Sequence, residues 1–212
     1  MTDLVELVRS VPDGVIRTVE LRAAGVSNYA VSARCRPSGP WQRVLPGVVL
    51  MSTGTPTRRQ RLRAAVAYAG AGCVLSGADA LRGHGIDVPL GPDVLVLLPA
   101  ERRAVSRSYL TVERTTRPPE PVWRDGLPLA PVARATIDAA RRERDRGRLH
   151  ALLRAPVEAG ACGIDELAAE LAAGSQRGTA APRALLAELW LPVLVRQLAL
   201  DVPHVGAGTG RA

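Results

Sequence analysis

The chain has no phenylalanine and no lysine, and aromatic residues make up only 3% of it. Without phenylalanine the interior has to be built from alanine, valine and leucine. Without lysine, all 28 basic residues are arginine, and a restriction-type nuclease core loses the ammonium group that usually serves its attacking water. Absence of lysine beside abundant Ala, Gly, Pro and Arg looks like the codon bias of a GC-rich bacterial genome. Thiols and imidazoles are scarce too. Cys35, Cys73 and Cys162 are odd in number, far apart and set in apolar patterns, so they read as small buried thiols in a reducing cytosol, not as a disulfide framework or metal cluster. His84, His150 and His204 are equally scattered, with no Cys, Asp or Glu at metal spacing. His84 stands between glycines, which fits a turn or packing role. There is no Walker loop and no dinucleotide fingerprint. No converging set of titratable groups can be assembled, so the expectation is a protein that is not an enzyme and needs no metal or cofactor. The longest apolar run, near Leu189–Leu200, is broken by Pro192 and Arg196, which excludes a membrane span there. Met1-Thr2-Asp3-Leu4 carries an acid where a signal peptide would be basic. A soluble, cytoplasmic protein without a membrane partner is expected.

What the chain does have is apolar bulk and positive charge. With 212 residues, 47% of them apolar, it can bury one large or two small cores. Its net charge of +8 suits a polyanionic partner. Residues 1–55 hold six arginines and four acids, residues 56–117 ten and five, and residues 118–188 ten of each. The basic excess therefore lies in the first half, although arginine is also the only basic surface residue this chain possesses.

Within that half, Val15–Leu50 carries the densest local signal. Thr18 is placed to cap a short helix, Val19–Ala24. Gly25 permits the left-handed residue that ends it, and Ser27 is a second N-cap before a helical pattern continuing to Cys35 or Arg36. Two short helices joined by a Gly-centred turn describe a helix-turn-helix. Pro37-Ser38-Gly39-Pro40 stops the second helix. Trp41–Val44 and Gly47–Leu50 then read as a β-hairpin, the wing of a winged helix-turn-helix. On a helical wheel, Ala30, Val31, Arg34 and Cys35 gather on one side, and Asn28, Tyr29, Ser32, Ala33 and Arg36 on the other. The second face is polar and suits a major groove, where asparagine can pair with adenine and arginine with guanine or phosphate. Gln42 and Arg43 on the wing, and Arg17 and Arg22 beside the first helix, occupy positions from which phosphates are usually touched. Arg34 lays its stem over the core.

The surroundings complete an α+β expectation. An amphipathic helix over Thr2–Val11 should pack behind the head. The polar connection Ser52–Pro56 marks the boundary of a first domain, 1–54, before a mixed α/β domain, 55–189, and a divergent tail, 190–212. From Thr57 a helix carries Arg58, Arg59, Arg61 and Arg63 around its first turns. Cations there oppose the macrodipole, a local cost that favours a functional use, so Arg58 and Arg59 are expected to extend the phosphate footprint. Ser76 caps a helix over Gly77–Arg82. Val94–Leu98 reads as a buried strand and Tyr109–Arg114 as a half-exposed one. Val122-Trp123 precedes the turn Arg124-Asp125-Gly126. Helices follow over Ala133–Arg142, Arg148–Glu158, Ile164–Ala173 and from Pro182 through Leu189, with a flexible junction at 174–178. Asp138, Glu143 and Asp145, interleaved with arginines, read as a solvated, salt-bridged face.

The order of these signals resembles the actinobacterial branch of the AbiEi-type antitoxin family, transcriptional regulators of type IV toxin–antitoxin systems. The matching stretches are LRAAGVSNYAVSARC, WQRVLPGVVL, AAVAYAGAGCVLSGADALRGHGI, TVERT, GLPLAPVARATIDAAR and GSQRGTAAPRALLAEL, together spanning roughly Thr18 to Leu189. The resemblance implies an N-terminal winged helix that binds operator repeats in double-stranded DNA and represses its own operon, with Asn28, Tyr29, Ser32 and Arg36 reading DNA and Arg43 on the wing. It also implies an α/β antitoxin domain that offsets a nucleotidyltransferase-like toxin functionally rather than by a tight complex. Many members of that family continue into a small endonuclease-like domain. Here the chain instead reads LWLPVLVRQLALDVPHVGAGTGRA, a departure that removes the nuclease part. Two other readings stay open, a protein-interaction module built on a winged head and a non-catalytic remnant of a nuclease-fused family member.

Overall fold

The first helix of the head ends in a pattern that its glycine makes possible. Gly25 adopts φ +89°, and around it Val26 N–H donates to the Leu21 carbonyl and Gly25 N–H to the Arg22 carbonyl, both at 2.9 Å. These are the two bonds of a Schellman motif, and Leu21 and Val26 pack in one apolar cluster, the hydrophobic contact that accompanies it. The computed structural model describes residues 11–189. The tail and, but for its last residue, the helix expected over Thr2–Val11 lie outside the described residues.

A short 3-10 turn, Pro12–Gly14, leads into β1 (Val15–Arg17), α1 (Thr18–Ala23), α2 (Asn28–Arg34), β2 (Gln42–Leu45) and β3 (Val48–Leu50). β3 is the central strand, antiparallel to both β1 and β2. β1 has no signature of its own in the sequence, because three residues are too few for an alternation to register. Two helix boundaries differ from expectation. α1 begins at Thr18, with Arg17 as its N-cap, and the Glu20 carboxylate accepts the Arg17 backbone N–H at 3.1 Å. Glu20, and not the Thr18 hydroxyl, therefore closes that end. α2 stops at Arg34, which leaves Arg36 in the turn beyond it. Ser27 caps α2 as its position implies, its hydroxyl accepting the Ala30 N–H at 3.1 Å.

Every residue of β3 is buried because both faces of the small sheet are covered. Ile16 and Val49 pack with Leu21, Val31 and Trp41 beneath the two helices. Val15, Val48 and Leu50 pack instead in a cluster with Ala64 and Ala65 of α3 (Arg58–Ala69). Thr57 and Gln60 close the start of α3 with a reciprocal capping box.

Beyond α3 lie β4 (Val74–Ser76), α4 (Gly77–Gly83), β5 (Val94–Pro99), β6 (Leu110–Thr115), β7 (Val122–Arg124) and β8 (Leu127–Leu129). Their strands form a mixed sheet in the order β6-β5-β4-β8-β7, with β5/β6 and β4/β8 parallel and the other pairs antiparallel. β5 is buried and β6 is a partly exposed edge strand, as their sequences imply. Asp125 and Gly126, at φ +48° and +68°, form the two-residue turn of the β7–β8 hairpin, the type I′ geometry that matches strand twist. α3 contacts both sheets. The 52–57 connection thus ends a sheet without ending a core, since one apolar cluster runs from Val15 and Leu50 through α3 to Leu75, Leu97 and Leu129.

Helices α5 (Val132–Ala140), α6 (Arg146–Glu158), α7 (Ile164–Ala173) and α8 (180–189) complete an α+β architecture. They share a second cluster in which Ile137, Leu149, Leu153, Leu167, Leu171 and Leu185 are buried. Each such leucine contributes about 2 kcal/mol of burial. One acid expected in solvent is inside. Asp138 is 2% exposed and accepts from Ser76 Oγ at 2.8 Å and from Arg134 Nε at 2.9 Å. Ser76 does precede α4, but its hydroxyl serves Asp138 and makes no cap bond. No helix among the described residues is long and apolar enough to cross a membrane.

Candidate nucleic-acid interface

α2 is held from below and left open above. Val31 is buried, and the Arg34 guanidinium lies 5.2 Å from the centroid of the Trp41 ring while Nη1 donates to the Ala30 carbonyl at 3.3 Å. Arg34 therefore packs, as its side of the wheel implies. On the outer side Asn28, Tyr29 and Ser32 are exposed. Tyr29 is 77% exposed, an unusual position for a large aromatic in a chain with so few of them. Arg43 reaches over from β2, its Nη2 donating to Ser32 Oγ at 3.2 Å, so helix and strand present one continuous polar surface. Arg36 is exposed at its far edge, past the helix end. The sequence contains no acid between Glu20 and Asp79 but eight arginines, so the segment that forms this surface contributes only positive charge.

Four other expected contact residues are placed differently. Gln42 Nε2 donates to the Ser52 and Gly54 carbonyls at 3.0 and 2.9 Å, so its amide donors hold the 52–57 connection. Arg17 spends Nε and Nη2 on Glu20 Oε1, at 2.8 and 2.6 Å. Arg58 has no donor left for a phosphate. Nε and Nη2 grip Asp79 at 2.7 and 2.6 Å, Nη2 also reaches the Asp93 carbonyl, and Nη1 donates to the Gly91 and Pro92 carbonyls. Those five bonds exhaust the five N–H groups of a guanidinium. Arg59 is paired with Asp13 and Asp125 at 3.1 and 3.2 Å, and the hydrogen bonds it donates to Asp125, then to Asp13, raise its pKa above the ordinary arginine value.

Their neighbours behave alike. Arg63 donates to Asp13 at 3.0 Å and to the Asp125 and Gly126 carbonyls. A Cβ at Gly126 would approach Arg63 Nη1 to 3.1 Å, so a side chain there would press on the guanidinium as well as strain a backbone at positive φ. Arg61 stacks over Tyr109, 4.4 Å from the ring centroid. The arginines of α3 thus fasten the helix to the loops around it. Their partners at Asp13, Asp79 and Asp125 are remote in sequence, and no local pattern discloses them.

Of the three thiols expected to be buried, Cys73 is, whereas Cys35 and Cys162 are only partly covered. Burial pushes Cys73 and Cys162 up to about 11, and burial raises Cys35 as well, opposed by Arg43. His84 Nε2 lies 2.9 Å from the Ala130 carbonyl, consistent with a packing role. Among the described residues no three His, Cys, Asp or Glu side chains converge on a metal position.

No protein-family model matches the chain, and no curated protein matches it in sequence. Among solved structures, the crystal structure of the Rv2827c protein from Mycobacterium tuberculosis is similar in fold, with a TM-score of 0.56 and 22% sequence identity over 86% of this chain and 74% of that one.

Proposed function

We propose that residues 15–50 form a winged helix-turn-helix that reads duplex DNA, and that the chain is a transcriptional repressor acting on its own operator. The observation that carries this is the outer surface of α2, where Asn28, Tyr29 and Ser32 stand exposed on a well-capped helix and are joined by Arg43 from β2. Asparagine and arginine are the side chains that read adenine and guanine edges bidentately, while Ser32, Tyr29 and Arg43 suit phosphates. Of the residues read as contacts in the sequence, Asn28, Tyr29, Ser32, Arg36 and Arg43 make the interface, and Gln42, Arg17, Arg58 and Arg59 support the fold behind it. The order of motifs from Thr18 to Leu189 supports the narrower reading of an autoregulatory antitoxin, countering a nucleotidyltransferase-like toxin in the cytoplasm without a tight complex.

The test is binding of the full chain to the DNA upstream of its own reading frame, measured by fluorescence anisotropy over a salt series. Specific binding should weaken linearly in log Kd against log salt, and Asn28→Ala with Arg36→Ala should remove the preference over scrambled duplex. Equal affinity of the unaltered protein for specific and scrambled DNA overturns the reading.

A further inference from the structure

A second basic surface lies on the far side of the chain in sequence, where β6, the C-terminal end of α5 and the 174–178 loop meet. Two adjoining cavities of about 400 and 800 Å³ share Glu113, Arg114, Arg141 and Ser175 in their walls. The larger one is lined by four arginines, Arg114, Arg141, Arg142 and Arg177, against the single acid Glu113. The arginines divide into two kinds. Arg141 and Arg142 both pair with Glu113, Arg141 Nη1 also lies 3.6 Å from buried Asp138, and Arg141 Nε donates to the Arg177 carbonyl at 2.9 Å. They are the fixed wall. Arg114 and Arg177 are exposed and have no carboxylate partner among the described residues.

The loop that carries Arg177 is built to stay where it is. Gly178 has φ +74°, and a Cβ there would come within 2.8 Å of the Arg141 carbonyl oxygen, so only glycine lets the loop lie against the end of α5. From the other side, Thr179 Oγ1 donates to the Gln176 carbonyl at 2.7 Å and Arg183 Nη2 to Gln176 Oε1 at 2.7 Å. Ser175 Oγ accepts the Arg177 N–H at 3.3 Å, which leaves its own hydroxyl hydrogen free to donate into the cleft. This is a concave, braced site with a surplus of guanidinium groups, one hydroxyl donor and, among the described residues, no aromatic ring in its walls.

We propose that this cleft binds a phosphoryl anion, held by Arg114 and Arg177 against the wall of Arg141 and Arg142. Guanidinium groups in the walls of one cavity supply donors that match the tetrahedral oxygens of phosphate, and walls without an aromatic ring among the described residues favour the phosphoryl group over a base as the recognised part. The source is either a free polyphosphate-type anion or the backbone of a nucleic acid, and two arms of one experiment separate them.

The probe is pyrophosphate, titrated calorimetrically into the full-length protein at about 0.15 M ionic strength, where exposed charges beyond about 8 Å are screened. One-to-one binding is expected in the unaltered chain. Arg114→Gln with Arg177→Gln should weaken it at least about tenfold without shifting the thermal midpoint of the unliganded protein, since both side chains are exposed. Arg103→Gln, an exposed arginine outside the cleft, should bind like the unaltered chain. In the second arm, if the double variant also loses affinity for scrambled duplex and pyrophosphate competes with that duplex, the anion belongs to a nucleic-acid backbone. Unchanged duplex binding assigns it to a free anion. No pyrophosphate binding by the unaltered chain, or equal weakening by Arg103→Gln, overturns the proposal.

Discussion

Arg36 and Arg43 in the head and Arg58 and Arg63 on α3 are the same residue type in the same acid-free stretch, yet the structure uses them in opposite ways. Arg36 is exposed, and among the described residues Arg43 bonds only to Ser32. Arg58 makes five hydrogen bonds, two to the buried carboxylate of Asp79, and Arg63 is shared among Asp13 and the carbonyls of the β7–β8 turn. The difference teaches that a count of charges locates basic sequence and does not locate available charge. What matters is whether a carboxylate from elsewhere in the chain arrives at the same place.

The largest effect that would sharpen this contrast is on stability. Arg58→Ala leaves Asp79, with a side chain only 4% exposed, without its partner, and should cost about 3 kcal/mol. Urea unfolding measures it, and an unchanged midpoint with lost DNA binding would put Arg58 among the contact residues after all. Next come the exposed residues, where the effect should move from stability to binding. Asn28→Ala and Arg36→Ala should each cost about 1–3 kcal/mol of specific DNA affinity and leave stability within about 0.5 kcal/mol. Ser27→Ala tests whether the helix that carries them depends on its cap. It should lower stability by about 1 kcal/mol and weaken operator binding with it. A subtler effect separates the two arginine groups by salt. Arg43→Ala should reduce the slope of log affinity against log salt by about 0.9, whereas Arg59→Ala, already neutralised by Asp13 and Asp125, should leave it unchanged. Smallest of all, Cys73 should resist alkylation in the folded protein at pH 8. Because its folded pKa is raised from 9.0 to about 11, its contribution to stability is complete below pH 9 and is lost as pH rises through 11.

Much of the head could be read directly because its signals are local. Ser27 and Gly25 act on bonds no more than five residues away, so the residue type and its position suffice. The same holds for Asp125-Gly126, whose positive φ values follow from a two-residue hairpin turn. Asp138 was beyond that reach. Its neighbours Arg134, Arg141 and Arg142 give it the look of a solvated face, and only the arrival of Ser76 from β4, sixty-two positions away, makes it a buried acceptor. The 54/55 divide fails to separate two cores for a related reason. The polar connection between the sheets is visible in the sequence, but Val15, Val48 and Leu50 show no mark that distinguishes packing on α3 from packing within the head.

Residue type and local spacing suffice to locate most helices to within a few residues, the polar face of α2 and the excess of positive charge in the first half. Those properties depend on backbone conformation and side-chain type, which act over a turn or two of chain. Which arginines are spent and which remain depends on contacts between distant parts of the chain. A guanidinium can be neutralised by any carboxylate that folding brings within about 4 Å, and Asp13, Asp79, Glu113 and Asp125 reach their partners only when two sheets and the helices around them have assembled.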